Sequence, residues 1–229
     1  MGFYLIYIYI DMKECIIVFL IVISFIYLYK KYESFQQNEI TLESLNNKLT
    51  DKNTTHSYLP LYDTLLNPIR DTANNVLEIG IGPWEEKNGG SLLMWRQYFT
   101  KATIHGVDIL PENRVLDELV QDDRVILYTE TNGYDKTFVS NNLENKKFDF
   151  LIDDGPHSLE SQEKFIELYS PLLSDNGILI IEDVQHISWL QKLKNKTPEN
   201  LKQYIKTYDL RENKGRYDDI VFTIDKIIR

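Results

Sequence analysis

Two carboxylates and an imidazole follow one apolar run in the second half of the chain. The run FDFLID has the composition of a buried strand, and Asp153, Asp154 and His157 come at its end, around a Gly-Pro turn. Two more acids, Glu182 and Asp183, end a second apolar run, GILIIED. Such groups can bind a hard cation and move a proton. An ordinary polar turn with a helix cap behind it is the alternative interpretation of the first group.

The second pair of acids strengthens the cation interpretation. If the two apolar runs are neighbouring strands, Asp154, Glu182 and Asp183 meet at one edge of a sheet. Three carboxylates so close together repel one another and raise one another's pKa values. A divalent cation relieves that repulsion, and oxygen ligands with room for water favour magnesium over zinc. We therefore predict a magnesium site formed by these three acids.

The elements that must position these residues alternate between strand and helix. Strand patterns cover residues 75–82, 102–109, 124–128, 148–153 and 177–183, and helical patterns cover residues 91–99 and 158–173. This alternation predicts βαβ units, and hence an α/β, Rossmann-like, doubly wound and mostly parallel sheet. Residues 202–210 and 219–227 flank a charged turn, which predicts that the sheet ends in an antiparallel hairpin.

Two polar segments, TDKNTTHSY and RENKGRYDD, are candidates for contact with a second substrate. The first segment precedes a predicted helix that Thr54 or Thr55 could cap, at a place where a lid over a ligand would lie. We select His56 and Tyr58 in the first segment and Arg216 in the second. Both segments could instead be ordinary surface loops.

The bulk composition excludes several classes of function. A chain of 229 residues can hold one α/β domain with a sizeable core. Its net charge of −10 argues against a nucleic-acid groove, which needs a basic face. A single cysteine excludes a disulfide framework and a thiolate zinc site.

The N-terminus has a different character. Residues 15–29, CIIVFLIVISFIYLY, contain no charge and are followed by two lysines. The run would span roughly 22 Å as a helix, less than the roughly 30 Å hydrocarbon core of a bilayer, but it has no polar face to suit a soluble domain. We interpret residues 1–31 as a hydrophobic helical segment that anchors the chain in a membrane through residues 15–29. A linker over residues 32–49 and a cytosolic domain over residues 50–229 would follow.

Glycines and acids at the ends of the other strands indicate a nucleoside ligand. Gly80 and Gly82 follow the first strand, and Asp108 ends the second, where an acid can bond two ribose hydroxyls. The dinucleotide fingerprint GxGxxG is not met, because Glu85 stands in place of the last glycine. No Walker lysine pattern is present either. A ligand with ribose but no phosphate fits better, and S-adenosylmethionine is such a ligand. Its carboxylate would meet the helix start at Ser91.

These residues lie in a stretch, VLEIGIGPWEEKNGGSLLMWRQYFTKATIHGVDI, that resembles class I S-adenosylmethionine-dependent methyltransferases. Within them it is similar to the macrocin O-methyltransferase group, which acts on sugar hydroxyls and shares its fold with cephalosporin hydroxylase-like proteins. The similarity extends over about residues 50–226. The residues it places around the cofactor are Glu78, Gly80, Gly82, Ser91, Asp108, Glu130 and Asp153. The segment around Glu130, YTETNGYD, departs from the more usual Gly-Asp-Gln.

The same group has the motif Asp-Asp-Gly-x-His followed later by Glu-Asp, which this sequence matches. The resemblance implies that Asp154, Glu182 and Asp183 bind the metal and that His157 is the general base; Pro156 replaces the commoner serine. It also implies magnesium-assisted methyl transfer to a hydroxyl of a sugar or glycosylated small molecule.

Two other functions stay open at this point. One is an oxygenase of the cephalosporin hydroxylase type, although the sequence has no clear two-histidine, one-carboxylate set. The other is a membrane-anchored binding module with a non-catalytic cofactor site. A homo-oligomer is also left open.

Overall fold

The computed structural model describes residues 12–37, 40–45, 48–82 and 87–229, and the side chains of residues 12–16 and 31–37 are not described. Two compact units divide the chain, Met1–Ile40 and Thr41–Arg229. The second unit begins at Thr41, whereas the sequence analysis placed the start of the domain at residue 50.

The first unit contains helix α1, Met12–Gln37. Its described large apolar side chains, between positions 17 and 29, are exposed. Among the described residues, no helix is long and apolar enough to cross a membrane. The structure therefore does not support the membrane anchor predicted for residues 15–29, and residues 1–11 of the predicted hydrophobic segment lie outside the described part of the chain.

The second unit contains the other helices and all the described strands. The helices are α2 (Leu42–Leu45), α3 (Leu59–Leu66), α4 (Gly90–Tyr98), α5 (Asp117–Val120), α6 (Lys136–Asn142), α7 (Leu159–Tyr169), α8 (Trp189–Lys196) and α9 (Arg211–Lys214). The strands are β1 (Asn75–Ile79), β2 (Thr103–Val107), β3 (Val125–Tyr128), β4 (Phe148–Asp153), β5 (Leu173–Ile181), β6 (Ile205–Asp209) and β7 (Ile220–Asp225).

The strands form one seven-stranded sheet in the order β3-β2-β1-β4-β5-β7-β6. Strands β1 to β5 are parallel to one another, and β7 lies antiparallel between β5 and β6. This topology confirms the predicted Rossmann-like α/β sheet and its closing antiparallel hairpin. The order reverses between β1 and β4, and ligands of such sheets bind at that point, beyond the carboxyl ends of the strands.

Both faces of the sheet are covered by helices. Alternate side chains of β1 enter different hydrophobic clusters: Val76 lies in the cluster that contains Trp95 of α4, and Leu77 in the one that contains Phe165 of α7. Because each central strand is buried on both sides, its sequence is mostly apolar. This is why the strands were recognisable from the sequence.

The start of one helix differs from its prediction. Helix α3 begins at Leu59, and its N-cap residue Tyr58 makes no side-chain capping bond, so neither Thr54 nor Thr55 is the cap. The residues before α3 are instead held by side-chain bonds to the carboxyl ends of the strands. The helix cap of the alternative interpretation is present before α7, because Ser158 accepts a hydrogen bond from the backbone N–H of Ser161.

Candidate active site

The carboxyl ends of β1, β4 and β5 bring the predicted acids together. Asp153 is in register with Ile79 on one side and with Ile181 on the other, so Asp154 and Glu182 leave the sheet next to each other. The backbone N–H of Asp154 still donates to the carbonyl of Ile79 at 2.8 Å. The pairing of the strands therefore dictates that these acids meet.

Three non-glycine residues at this edge have a left-handed backbone. The φ angles are 50° at Glu130, 51° at His157 and 53° at Asp183. Such angles are uncommon for residues other than glycine and persist where surrounding contacts enforce them, often at functional sites. All three residues had been selected from the sequence as site residues.

Asp154, His157 and Asp183 form a group whose potential ligand atoms all lie within 4.8 Å of one another. His157 Nε2 is 3.9 Å from Asp154 Oδ1 and 3.5 Å from Asp183 Oδ2. The other oxygen of each carboxylate is held from behind. Lys52 Nζ donates to Asp154 Oδ2 at 2.7 Å, and Tyr58 donates to Asp183 Oδ1 at 2.5 Å. One oxygen of each acid is thus oriented towards His157, as the ligands of metal sites usually are by their outer partners.

Glu182, the third predicted metal ligand, has a different environment. Its Oε1 accepts a hydrogen bond from Lys52 Nζ at 2.5 Å, and its Oε2 accepts one from the Tyr62 hydroxyl at 2.6 Å. Its side chain is almost completely buried. The structure therefore brings two of the three predicted metal ligands together with His157, while both oxygens of Glu182 are already bonded.

Lys52 is the main residue of this edge that the sequence analysis did not select. It is fully buried, and its Nζ also lies 3.5 Å from Glu78 Oε1. Burial by itself lowers the pKa of Lys52, but the attraction of Asp154, Glu182 and Glu78 outweighs it and holds that pKa well above its usual value. The ammonium therefore stays charged and neutralises part of the acid cluster. An excess of acids at one sheet edge is the signal that could have prompted a search for such a cation.

The buried acids retain protons more readily than ordinary carboxyls. Burial raises the pKa of Glu78 and of Glu182 to about 7 and that of Asp153 to about 6. It also raises the pKa of Asp154 well above its usual value, and the nearby charge of Glu182 adds to the rise. A divalent cation bound at this edge would therefore stabilise the ionised form of these acids.

The residues predicted to surround the methionine part of a cofactor divide into two groups. Glu78 is fully buried, and its Oε2 accepts hydrogen bonds from Ser91 Oγ at 2.9 Å and from Trp95 Nε1 at 3.0 Å. Gly80 has a φ of 95°, and a Cβ there would lie 1.9 Å from the carbonyl oxygen of Asp154. Glu78 and Ser91 therefore lie within the protein core, whereas Gly80 and Gly82 shape the loop at the surface of the edge.

The predicted contacts for ribose and adenine lie around the ends of β2 and β3. Asp108 is half-buried and accepts hydrogen bonds from the backbone N–H groups of Ile81, at 2.6 Å, and Leu110, at 2.9 Å. Glu130 is exposed nearby, and its N–H donates to the carbonyl of Leu110 at 3.0 Å. Asp153 accepts a bond from the Tyr134 hydroxyl through Oδ1, while its buried Oδ2 has no hydrogen-bond partner among the described residues.

The two polar segments predicted to contact the second substrate meet at this same edge. His56 Nδ1 lies 2.6 Å from Asp219 Oδ1 and 3.3 Å from Asp183 Oδ1. Lys214 Nζ donates to the carbonyl of His56 at 2.8 Å. His56 and Tyr58 are buried, so they support the acids rather than line an open surface.

Arg216 is the most accessible of the residues predicted to contact the second substrate. Its side chain is 40 % exposed, and its Nη2 donates to Asp218 Oδ2 at 3.2 Å. His56, Asp183, Asp218 and Asp219 form a second group with potential ligand atoms within 4.8 Å. Those acids already have His56, Tyr58 and Arg216 as partners.

Comparisons with known proteins identify O-methyltransferases that resemble this chain. No protein-family model matches the chain. It is 35% identical over 133 residues to the 8-demethyl-8-(2-methoxy-alpha-L-rhamnosyl)-tetracenomycin-C 3'-O-methyltransferase of Streptomyces olivaceus, a match that covers 56% of this chain and 32% of that protein. It is 31% identical over 138 residues to the mycinamicin VI 2''-O-methyltransferase of Micromonospora griseorubida, with 58% and 33% covered. The chain thus spans about a third of the length of these relatives.

A solved structure also matches. The MycE methyltransferase from the mycinamycin biosynthetic pathway, in complex with Mg, SAH and mycinamycin VI, superimposes with a TM-score of 0.63 at 23% identity, over 81% of this chain and 54% of that chain. The two proteins share a fold. The resemblance to macrocin-type O-methyltransferases is confirmed, because the relatives that the chain matches are sugar O-methyltransferases.

Proposed function

We propose that this protein is an S-adenosylmethionine-dependent, magnesium-assisted O-methyltransferase that acts on a hydroxyl of a sugar or glycosylated small molecule. The observation that carries the proposal is the arrangement of Asp154, Asp183 and His157, in which one oxygen of each carboxylate is oriented towards the imidazole. The matched relatives are O-methyltransferases, which supports the same chemistry. The predicted membrane association, cytosolic location and homo-oligomer stay predictions.

Asp154 and Asp183 would hold the magnesium ion. Both offer oxygen donors, and the side chain of Asp154 is 21% exposed, which leaves access for water and for an acceptor. Glu182 could serve as a third ligand through the second lone pair of an oxygen that also accepts a bond from Lys52 or from Tyr62. When bound, magnesium would lower the pKa of an acceptor hydroxyl and fix its orientation.

His157 would accept the proton of that hydroxyl during methyl transfer. Its side chain is 30% exposed, so the acceptor can reach it, and its Nε2 faces both carboxylates. The left-handed backbone at His157 keeps the imidazole on this side of the edge. A general base needs this combination of access and fixed orientation.

S-adenosylmethionine would lie over the Gly80–Gly82 loop and supply the methyl group. The buried Asp153 Oδ2 supports a polar ligand here, because a buried oxygen without a partner is costly unless something donates to it. Asp108 and Glu130 would face the nucleoside part. Glu78 and Ser91 would shape the pocket from behind, since they are bonded to each other.

Titration calorimetry on the full chain tests the proposal directly. We expect binding of S-adenosylhomocysteine, and binding of magnesium that Asp154→Asn weakens together with methyl transfer. Asp71→Asn, a change of an exposed acid that pairs with Arg70, is the matched control and should alter neither. No cofactor binding at millimolar concentration would refute the proposal. Cofactor binding without turnover of any sugar acceptor would favour a non-catalytic binding module instead.

A further inference from the structure

We infer that the second group of potential ligands, His56, Asp183, Asp218 and Asp219, is a buried structural site for a zinc ion, separate from the magnesium site of the proposed function. One potential ligand atom from each of these residues lies within 4.8 Å of the others. All four residues are buried. The inference goes beyond the proposed function, because a structural ion needs neither an acceptor nor a cofactor.

A free oxygen of Asp218 is the observation that points to a ligand. The side chain of Asp218 is 7% exposed, and its Oδ1 is buried without a hydrogen-bond partner among the described residues. Its Oδ2 accepts a hydrogen bond from Arg216 Nη2 at 3.2 Å. A buried carboxylate oxygen without a partner is costly unless a donor or a cation meets it. Because Asp218 belongs to the group, an ion bound there would supply that partner.

His56 and Asp219 each turn one atom towards the group and have the other beside a polar neighbour. His56 Nδ1 lies 2.6 Å from Asp219 Oδ1 and 3.3 Å from Asp183 Oδ1. On the outer side, His56 Nε2 is 3.6 Å from Asp51 Oδ2. Asp219 Oδ2 accepts a hydrogen bond from Ser57 Oγ at 3.1 Å. The histidines and carboxylates of metal sites are usually oriented by such outer partners.

The basic side chains nearby do not neutralise the group. Lys214 Nζ is bonded to backbone carbonyls, and Arg216 is bonded to Asp218. Among the described residues, neither Asp183 nor Asp219 pairs with a lysine or an arginine. Two cations can therefore balance these carboxylates: the protonated imidazole of the same group, or a metal ion that takes the neutral imidazole as a ligand.

The donor set suits zinc better than magnesium. It combines one imidazole nitrogen with carboxylate oxygens, whereas magnesium prefers oxygen ligands and usually retains several waters. Burial of all four side chains leaves little room for such waters. In structural sites, zinc is surrounded by four protein ligands in a tetrahedron, and it accepts both imidazole and carboxylate.

Asp183 belongs to both groups. Its Oδ2 lies 3.5 Å from His157, on the side of the magnesium site, whereas its Oδ1 lies 3.3 Å from His56. Tyr58 also donates to Oδ1, and that oxygen has a second lone pair for a metal. Two-metal sites hold their ions about 3.5–4 Å apart, so magnesium on one oxygen does not exclude zinc on the other. The zinc ion would fasten the segment before α3 to the residues before β7.

Calorimetric titration of zinc into the full chain, in excess magnesium, tests the site. We expect one zinc ion per chain. Asp218→Asn should weaken zinc binding at least about tenfold and leave magnesium binding unchanged. Asp154→Asn should have the reverse effect, since Asp154 belongs only to the magnesium group. Asp122→Asn is the matched control and should alter neither metal, because Asp122 is a partly buried acid bonded to Arg96 outside both groups.

His56→Gln is the second variant, because it removes the only nitrogen ligand of the group. Circular dichroism establishes whether each variant is folded, and a folded His56→Gln should also lose zinc. Cobalt in place of zinc should give the visible absorption of a tetrahedral ion, which either variant should remove.

Three results would overturn the site. One is a lack of zinc binding by the unaltered chain in excess magnesium. Another is zinc that Asp154→Asn removes and Asp218→Asn retains, because such an ion occupies the magnesium site. The third is full zinc binding by a folded His56→Gln. Failure of the chain to bind S-adenosylhomocysteine would refute the proposed function and leave the zinc site standing.

Discussion

Replacement of Lys52 by methionine would reveal how much the buried ammonium stabilises the carboxylate edge. The Nζ atom lies 2.5 Å from a Glu182 oxygen, 2.7 Å from an Asp154 oxygen and 3.5 Å from a Glu78 oxygen. Methionine keeps most of the side-chain volume but leaves these buried acids without their cation. Removal of one partner of a buried ion pair typically costs about 3–5 kcal/mol, and we expect a loss of about 4 kcal/mol in the free energy of unfolding at pH 8.

The distances support a value of this size. Two unit charges 2.7 Å apart attract by roughly 6 kcal/mol at an effective dielectric constant of about 20, and the cost of burying the ammonium offsets part of that attraction. The loss should shrink at lower pH. Glu78 and Glu182 have pKa values of about 7, so below that pH they take up protons and no longer need a cation.

Urea unfolding, followed by tryptophan fluorescence at pH 8 and at pH 5.5, measures both effects. Lys48→Met is the matched control, because Lys48 is exposed, and it should cost less than about 0.5 kcal/mol. The reasoning would be refuted if Lys52→Met were within about 1 kcal/mol of this control at pH 8. A larger loss at pH 5.5 than at pH 8 would contradict the assigned role of the acids.

Three further changes test other parts of the structure. His157→Ala should lower methyl transfer by about a hundredfold or more while calorimetry shows unchanged magnesium and cofactor binding, and a full rate would exclude it as the base. Gly80→Ala places a Cβ 1.9 Å from a carbonyl oxygen at a φ of 95°, so urea unfolding should show a loss above about 2 kcal/mol; Gly215→Ala, at a φ of 72° with open space, should lose only about 1 kcal/mol. Burial lowers the pKa of His105 to about 4 from 6.5, so the unfolded chain binds the extra proton between these values. His105 by itself should therefore lower stability by about 3 kcal/mol as the pH drops from 6.5 to 4, so the difference in unfolding free energy between the unaltered protein and His105→Phe should change by about that amount in urea titrations; an unchanged difference would contradict the burial argument.

The sequence by itself determined the sheet and most of the acids at its edge. Strands buried on both faces are mostly apolar, so runs such as FDFLID were recognisable without any tertiary information. In a parallel sheet the carboxyl ends of neighbouring strands lie together. The positions of Asp154 and Asp183, each directly after such a run, therefore predicted that they would meet, and the structure brings them within reach of His157.

Only the tertiary structure decided how the charges at that edge are balanced. Lys52 is 102 residues from Asp154 and 130 residues from Glu182, and it lies in a segment whose polar composition is typical of any surface loop. No local periodicity reports a contact over such a separation. The same long-range contacts move the start of α3 to Leu59 and provide Lys52 and Tyr62 as the partners of the two Glu182 oxygens. The apolar pattern of the sequence determines which residues reach an edge of the sheet. The residue that pairs with each charged group at that edge comes from a segment that only folding brings close.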